Sequence, residues 1–243
     1  MENALSTYTW TKEQRDYGWN LICISRQLIQ IHIYPTITRS YIFLHYFFNQ
    51  KEHKPYDFYI LLLSSLFLSC KISDFYRPLK YLFKTFLKCC AATQKFVSTK
   101  KQKEILGDRD FSENAELTND EFLIIGQCEI DLLNAINWHM HPIIPFDYFN
   151  CPERNLLGDK TDDLTVNCHK IMQDICLMIK HQNYLQFHPP AIAAAATLHS
   201  FSQPLEGKLK QWVEEQQQIY KDEILTIFHI IVEETQNLVP VNK

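Results

Sequence analysis

From Thr11 to Leu238 the apolar residues of this chain recur at three- and four-residue intervals with few strand-like alternations, and only five glycines interrupt them. That rhythm gathers the apolar side chains on one side of an α-helix, so the chain is restricted to helices packed on helices. With 243 residues, 46% of them hydrophobic, it is long enough to bury one large core or two of about 100 residues each. An all-α fold is the expectation.

The first helix is expected from its cap Thr11 through Trp19, Ile22, Arg26 and Ile29 to about His32. Pro35-Thr36 opens a second, with Ile37, Tyr41, Leu44, Phe47 and Phe48 at helical spacing. In the third, Tyr56 to Lys71, the apolar arc nearly encircles the axis, which marks a central, fully packed helix. A fourth runs from Pro78 to about Cys90. Residues 91–118 read as a long exposed polar loop carrying the basic run Lys95 to Lys103, a solvated stretch in most proteins and less often a docking surface. The helix around Glu129 then ends near Trp138. Beyond a bridge at 141–152, helices are expected over Asp162 to Tyr184, Pro189 to Ser200, Gly207 to Gln216 and Ile219 to Leu238. The run Ala191 to Ala196 has side chains small enough for neighbouring helices to approach closely, as a central helix requires. Two similar helical domains, residues 10–140 and 141–238, are therefore expected.

Several function classes lose ground on composition. The net charge of -4 argues against a nucleic-acid surface over the whole molecule. Residues 1–12 are polar without the apolar segment of a signal peptide, and the longest apolar stretch, Phe58 to Cys70, contains Ser64, Ser65 and Ser69 and is too short for a membrane span. An intracellular, water-soluble protein without membrane contact is expected. The eight cysteines include no C-x-x-C pair, and Cys23, Cys70, Cys128 and Cys176 fall in helical apolar patterns, so all eight read as reduced thiols. His139, His141 and Cys151 lack a second ligand pair, and neither a metal nor a cofactor is expected. The chain has no G-x-G-x-x-G, P-loop, H-E-x-x-H or G-x-S-x-G, which argues against an enzyme.

Glu129 carries the functional signal. At about 100° per residue, Phe122, Ile125, Leu133 and Ile136 surround it, so a carboxylate stands in an apolar stripe. Left unpaired there it would cost several kcal/mol, so it requires donors in the fold or on a partner. Lys71, one turn beyond Phe67 at a helix C-terminus, is a candidate donor in a position that favours an ammonium. The two could simply pair within the chain and do nothing more. Taken without other information, that structural reading is the favoured one.

Trp10-Thr11-Lys12-Glu13-Gln14, His45-Tyr46-Phe47-Phe48, Leu66-Phe67-Leu68-Ser69-Cys70-Lys71, Glu129-Ile-Asp-Leu132-Leu133-Asn-Ala-Ile136-Asn-Trp138 and Pro189 to Leu198 together resemble the cyclins, in particular the transcription-associated cyclins T and K, over about Trp10 to Leu238. The resemblance implies a tandem pair of five-helix cyclin boxes and a nuclear, non-catalytic regulatory subunit. Such a subunit binds a cyclin-dependent kinase as a heterodimer and activates it. Lys71 and Glu129 match the lysine and glutamate that grip the kinase's regulatory helix. Leu68, Ile72, Leu133, Trp138 and Met140 match the apolar surface around them, and Asp74 retains one carboxylate of an acidic pair that here reads Ser73-Asp74. Docking would hold the kinase helix inward, so that its glutamate pairs with the lysine that positions ATP phosphates. Tyr46 replaces a frequent arginine, and Trp19 to Gln27 lacks the Met-Arg-Ala-Ile-Leu pattern of substrate docking, so recruitment through that patch is not expected. Two alternatives stand beside this reading. One is a cyclin-like scaffold within a larger assembly that does not activate a kinase. The other is a transcription factor of the TFIIB kind, which would favour a zinc ribbon and a basic second repeat, and neither is seen.

Overall fold

The computed structural model describes residues 10–31, 33–149, 162–202 and 204–238, and their regular structure is entirely helical, without a strand. The chain divides into two compact units, Met1–Pro142 and Ile143–Lys243.

In the first unit α1 (Lys12–Ile29) starts at a capping box. The Gln14 N–H donates to Thr11 Oγ1 at 3.1 Å and the Thr11 N–H donates to Gln14 Oε1 at 3.1 Å, satisfying two N–H groups that the helix itself cannot pair. Trp10, just before the cap, is buried against Tyr41, His45 and Phe48 at ring distances of 5.0, 4.7 and 5.0 Å. Arg15 donates to the Trp10 carbonyl at 2.5 Å, and the Tyr41 hydroxyl donates to the Arg15 carbonyl. The opening aromatic motif is thus the anchor that fixes α1 on α2 (Thr38–Phe48), which follows a π-helical turn at Ile33–Ile37.

Helix α3 (Phe58–Ile72) is central in this unit. It packs against α1, α2, α4 (Leu79–Thr93), α5 (Thr99–Leu106) and α6 (Asn119–Ala135), and all of its residues except Phe67, Lys71 and Ile72 are buried. Two of its three serines find a carbonyl: Ser65 Oγ donates to Leu62 O at 3.0 Å and Ser69 Oγ to Thr36 O at 2.6 Å. Each large side chain buried here contributes about 1.5–3 kcal/mol.

Residues 91–118 do not form the exposed loop expected of them. α4 continues to Thr93, and the middle of the stretch folds as α5, capped by Ser98, whose hydroxyl accepts the Lys101 N–H at 3.3 Å. Gln102, Ile105 and Leu106, at i, i+3 and i+4, are all buried, and so is Phe111. The Gln102 amide is satisfied inside, donating to the Tyr17 hydroxyl at 2.6 Å and the Cys90 carbonyl at 3.0 Å. Arg109 fastens the rest: it pairs with Glu121, donates to the Glu116 carbonyl at 2.7 Å and lies over the Phe83 ring at 4.5 Å. A short helix with a single apolar side suffices because a neighbouring core supplies the other half of the packing.

In the second unit α8 (Pro189–Ser200) is the central element. It packs on α7 (Asp162–Lys180), on α9 (Gly207–Leu238) and on a 3-10 turn at Pro145–Tyr148. Ala191 to Ala196 are fully buried, and two prolines occupy the first turn, where no N–H is needed. Buried Asp174 on α7 accepts from His199 Nδ1 at 2.8 Å and Ser200 Oγ at 3.0 Å, tying α7 to the end of α8. The two helices expected over 207–238 are both present within α9, meeting at a kink at Tyr220, whose backbone is non-helical at φ -123° and ψ 31°. No described helix is long and apolar enough to cross a membrane.

Candidate partner-binding site at the ends of α3 and α6

The packing of α3 on α6 brings Lys71 and Glu129 together. Lys71 Nζ donates to both carboxylate oxygens of Glu129, at 2.7 and 3.0 Å, and sits 3.9 Å from the centre of the Phe67 ring. Phe67 was not among the predicted contact residues, yet its place one turn before Lys71 puts it directly under the ammonium. The pair is lopsided in exposure, with the lysine side chain 39% exposed and the glutamate 13%. Desolvation raises the Glu129 carboxyl above the ordinary carboxylate range, and the neighbouring ammonium offsets part of that rise. Two of three ammonium protons are engaged, so a third N–H and several carboxylate lone pairs have no partner among the described residues.

Both helices end in the same way. After α3, Asp74 adopts φ 57°, its N–H donates to Lys71 O at 3.3 Å and the Phe75 N–H donates to Cys70 O at 3.0 Å. After α6, Asn137 adopts φ 51°, its N–H donates to Asn134 O at 3.0 Å and the Trp138 N–H donates to Leu133 O at 2.8 Å. These are two Schellman closures with non-glycine residues in the left-handed position that glycine usually fills. Trp138 is left-handed as well, at φ 59°, which for so bulky a residue is an outlier. Its indole N–H donates to Asn134 Oδ1 at 3.1 Å, which holds the ring in place while 58% of the residue stays exposed.

The predicted site residues separate on this frame. Lys71 and Glu129 are in contact, Ile72 follows Lys71, and Leu133 lies one turn beyond Glu129; both of these apolar residues are half-buried. Asp74, Trp138 and Met140 are exposed in the two closing turns. Leu68 is not part of the surface. It is 5% exposed, because α3 is enclosed on nearly every side and the Leu68 position faces inward. The α6 residues Leu123 and Ile130, which sequence reasoning did not single out, are exposed apolar side chains on the same helix. No disulfide is assigned to Cys23, Cys70, Cys89, Cys90, Cys128, Cys168 or Cys176. Burial pushes the Cys128 thiol up to about 12. No three His, Cys, Asp or Glu side chains among the described residues are grouped to hold a metal; Cys151 lies outside those residues.

No protein-family model matches this chain, and no curated protein matches it.

Proposed function

We propose that this chain is a non-catalytic regulatory subunit that binds a cyclin-dependent protein kinase as a heterodimer and activates it, acting in the nucleus in transcription, and that its two units are a tandem pair of cyclin boxes. The observation that carries the reading is the Lys71–Glu129 pair. A buried structural ion pair would be expected to be enclosed and satisfied; this one is open at the lysine and has donors and acceptors to spare, and the turn that closes α6 leaves Trp138 and Met140 exposed as well. Such a pair can donate to a carbonyl and accept from an N–H at the end of a partner helix, while the apolar side chains around it exclude water and strengthen those bonds. The strained turn that presents Trp138 fits the same role, since backbone strain is found where a side chain must be aimed. Residues 10–140 and 141–238 would be the two boxes, with α5 an addition between the last two helices of the first.

The test is to co-purify tagged wild type and a Lys71→Ala/Glu129→Ala double mutant from native cells, identify bound proteins by mass spectrometry and assay associated kinase activity. A kinase recovered with wild type and lost with a mutant of unchanged circular dichroism is the expected result. A kinase bound without gain of activity would favour a scaffold instead. Absence of any kinase from both samples overturns the reading.

A further inference from the structure

We infer that a cleft between α1 and the turn after α4, which takes no part in the proposed kinase site and, although it includes part of Trp19 to Gln27, does not depend on the Met-Arg-Ala-Ile-Leu pattern absent there, docks a short acidic peptide segment of a partner protein through a bulky apolar side chain. The cleft measures about 450 Å³. Its walls are the Tyr17, Cys23 and Ile24 side chains of α1 and Phe96 and Val97 of the turn, with Asn20, Gln27 and Thr93 as its polar members. Its polar floor is already satisfied: Tyr17 and Thr93 hydroxyls lie 2.8 Å apart and Gln102 donates to Tyr17 at 2.6 Å. What the floor leaves to offer is therefore mainly apolar surface.

Phe96 is the most exposed apolar member of the cleft. It is 89% exposed, held outward by a turn in which its N–H donates to Thr93 O at 2.9 Å and the Val97 N–H to the same carbonyl at 3.0 Å. A phenylalanine so placed forgoes its burial in the free chain and regains it only under a partner. An apolar side chain seated between Phe96 and Ile24 would cover it.

Charge sets what flanks that side chain. No carboxylate lines the cleft. Beside it runs the basic segment Lys95 to Lys103, on a chain whose net charge is -4. Lys101 and Lys103 are engaged by Glu13 and Asp108 at 2.8 and 3.1 Å, which leaves Lys95 and Lys100 exposed without a carboxylate partner among the described residues. Two ammonium groups without a carboxylate partner, one on the residue before Phe96 and one three residues after Val97, complement an aspartate- or glutamate-flanked leucine or aromatic residue. A bare polyanion such as RNA would use the lysines but not the slot.

The experiment selects short random peptides displayed on phage against the full chain, then measures the enriched peptide by fluorescence anisotropy. Enrichment of leucine or aromatic residues flanked by acids is expected. So are a rise in Kd of about tenfold in Phe96→Ser and in Lys95→Glu/Lys100→Glu, and weaker binding at high salt. All three substituted side chains are exposed, so the variants keep the fold, and the Lys71→Ala/Glu129→Ala mutant should bind the peptide like wild type. No enrichment, enrichment of non-acidic sequences, or undiminished binding by either variant overturns the proposal. So does oligouridine binding that is lost in the lysine variant but kept in Phe96→Ser, since that describes a nucleic-acid surface.

Discussion

The ammonium of Lys71 chelates both carboxylate oxygens of Glu129 across 58 residues of sequence, at 2.7 and 3.0 Å. Glu129 is nonetheless held above the ordinary carboxylate range, because desolvation outweighs the stabilising lysine. A raised carboxyl binds its proton more tightly folded than unfolded. Its contribution to stability is therefore fully present below the unfolded value and declines as pH rises through the folded one. Lys71→Met removes the lowering influence, so the Glu129 carboxyl should titrate at still higher pH in a carbon-detected NMR titration. Stability at neutral pH should fall by about 1–3 kcal/mol, since the glutamate, 13% exposed, is left without its donor. An unchanged Glu129 titration in that variant would show that the pair is not formed in solution.

Glu121 behaves in the opposite sense. Its carboxylate accepts from Arg109, from the Tyr59 hydroxyl at 2.5 Å and from the Thr118 N–H at 2.8 Å, and Arg109 foremost holds it down to about 2. The resulting stability is present above the unfolded carboxylate value of 4.5 and is lost as pH falls toward about 2. Arg109→Ala should cost about 2–3 kcal/mol at neutral pH by urea denaturation and make stability less dependent on pH between those two values. It should also expose the 107–118 segment to limited proteolysis, because that arginine joins it to α3, α4 and α6.

Asp74 separates folding from binding. Its left-handed backbone is the position that glycine closes most cheaply, so Asp74→Gly should raise the stability of the free chain by about 0.5–1 kcal/mol. If Asp74 contacts the kinase as proposed, the same variant binds it more weakly. Thermal melting and kinase pull-down on one sample would then move in opposite directions. A variant that melts no higher would mean that the aspartate side chain stabilises the turn in a way its backbone geometry does not reveal.

Parts of this arrangement could be read before any coordinates, and others could not. The long apolar run of α3 and the alanines of α8 announced central helices, because a helix apolar on most sides has to be surrounded. The same property concealed Leu68: on a helix without a polar face, periodicity does not say which side chain looks outward. Glu129 stood out as a charge in an apolar stripe, but residue patterns alone do not bring Lys71 within reach across 58 positions. α5 was missed because only Ile105 and Leu106 mark its apolar side, and its third buried residue, Gln102, looks like surface until Tyr17 and Cys90 are seen to satisfy it. The left-handed turns at Asp74 and Trp138 gave no warning, as neither contains glycine.

Two glycines inside helices should answer the same substitution with opposite signs. At Gly126 on α6 an added Cβ would meet nothing within 4 Å, so Gly126→Ala gains helix propensity alone and should stabilise by about 0.5–1 kcal/mol. At Gly18 on α1 the same carbon would come within 3.0 Å of Leu62 Cδ2 and 3.0 Å of Phe58 Cζ, both buried on α3. Overpacking a filled core costs about 1–3 kcal/mol, which exceeds the propensity gain, so Gly18→Ala should be destabilising overall. The crossing of α1 over α3 thus depends on the missing side chain, whereas the Gly126 face of α6 is open in the free chain. Chemical denaturation of both variants measures this directly, and a stabilised Gly18→Ala would mean that α1 lies farther from α3 than the 3.0 Å contacts require. Kinase pull-down with Gly126→Ala extends the test: a partner helix lying close over the middle of α6 would bind the more stable variant less well, whereas one confined to the Lys71–Glu129 end would bind it equally.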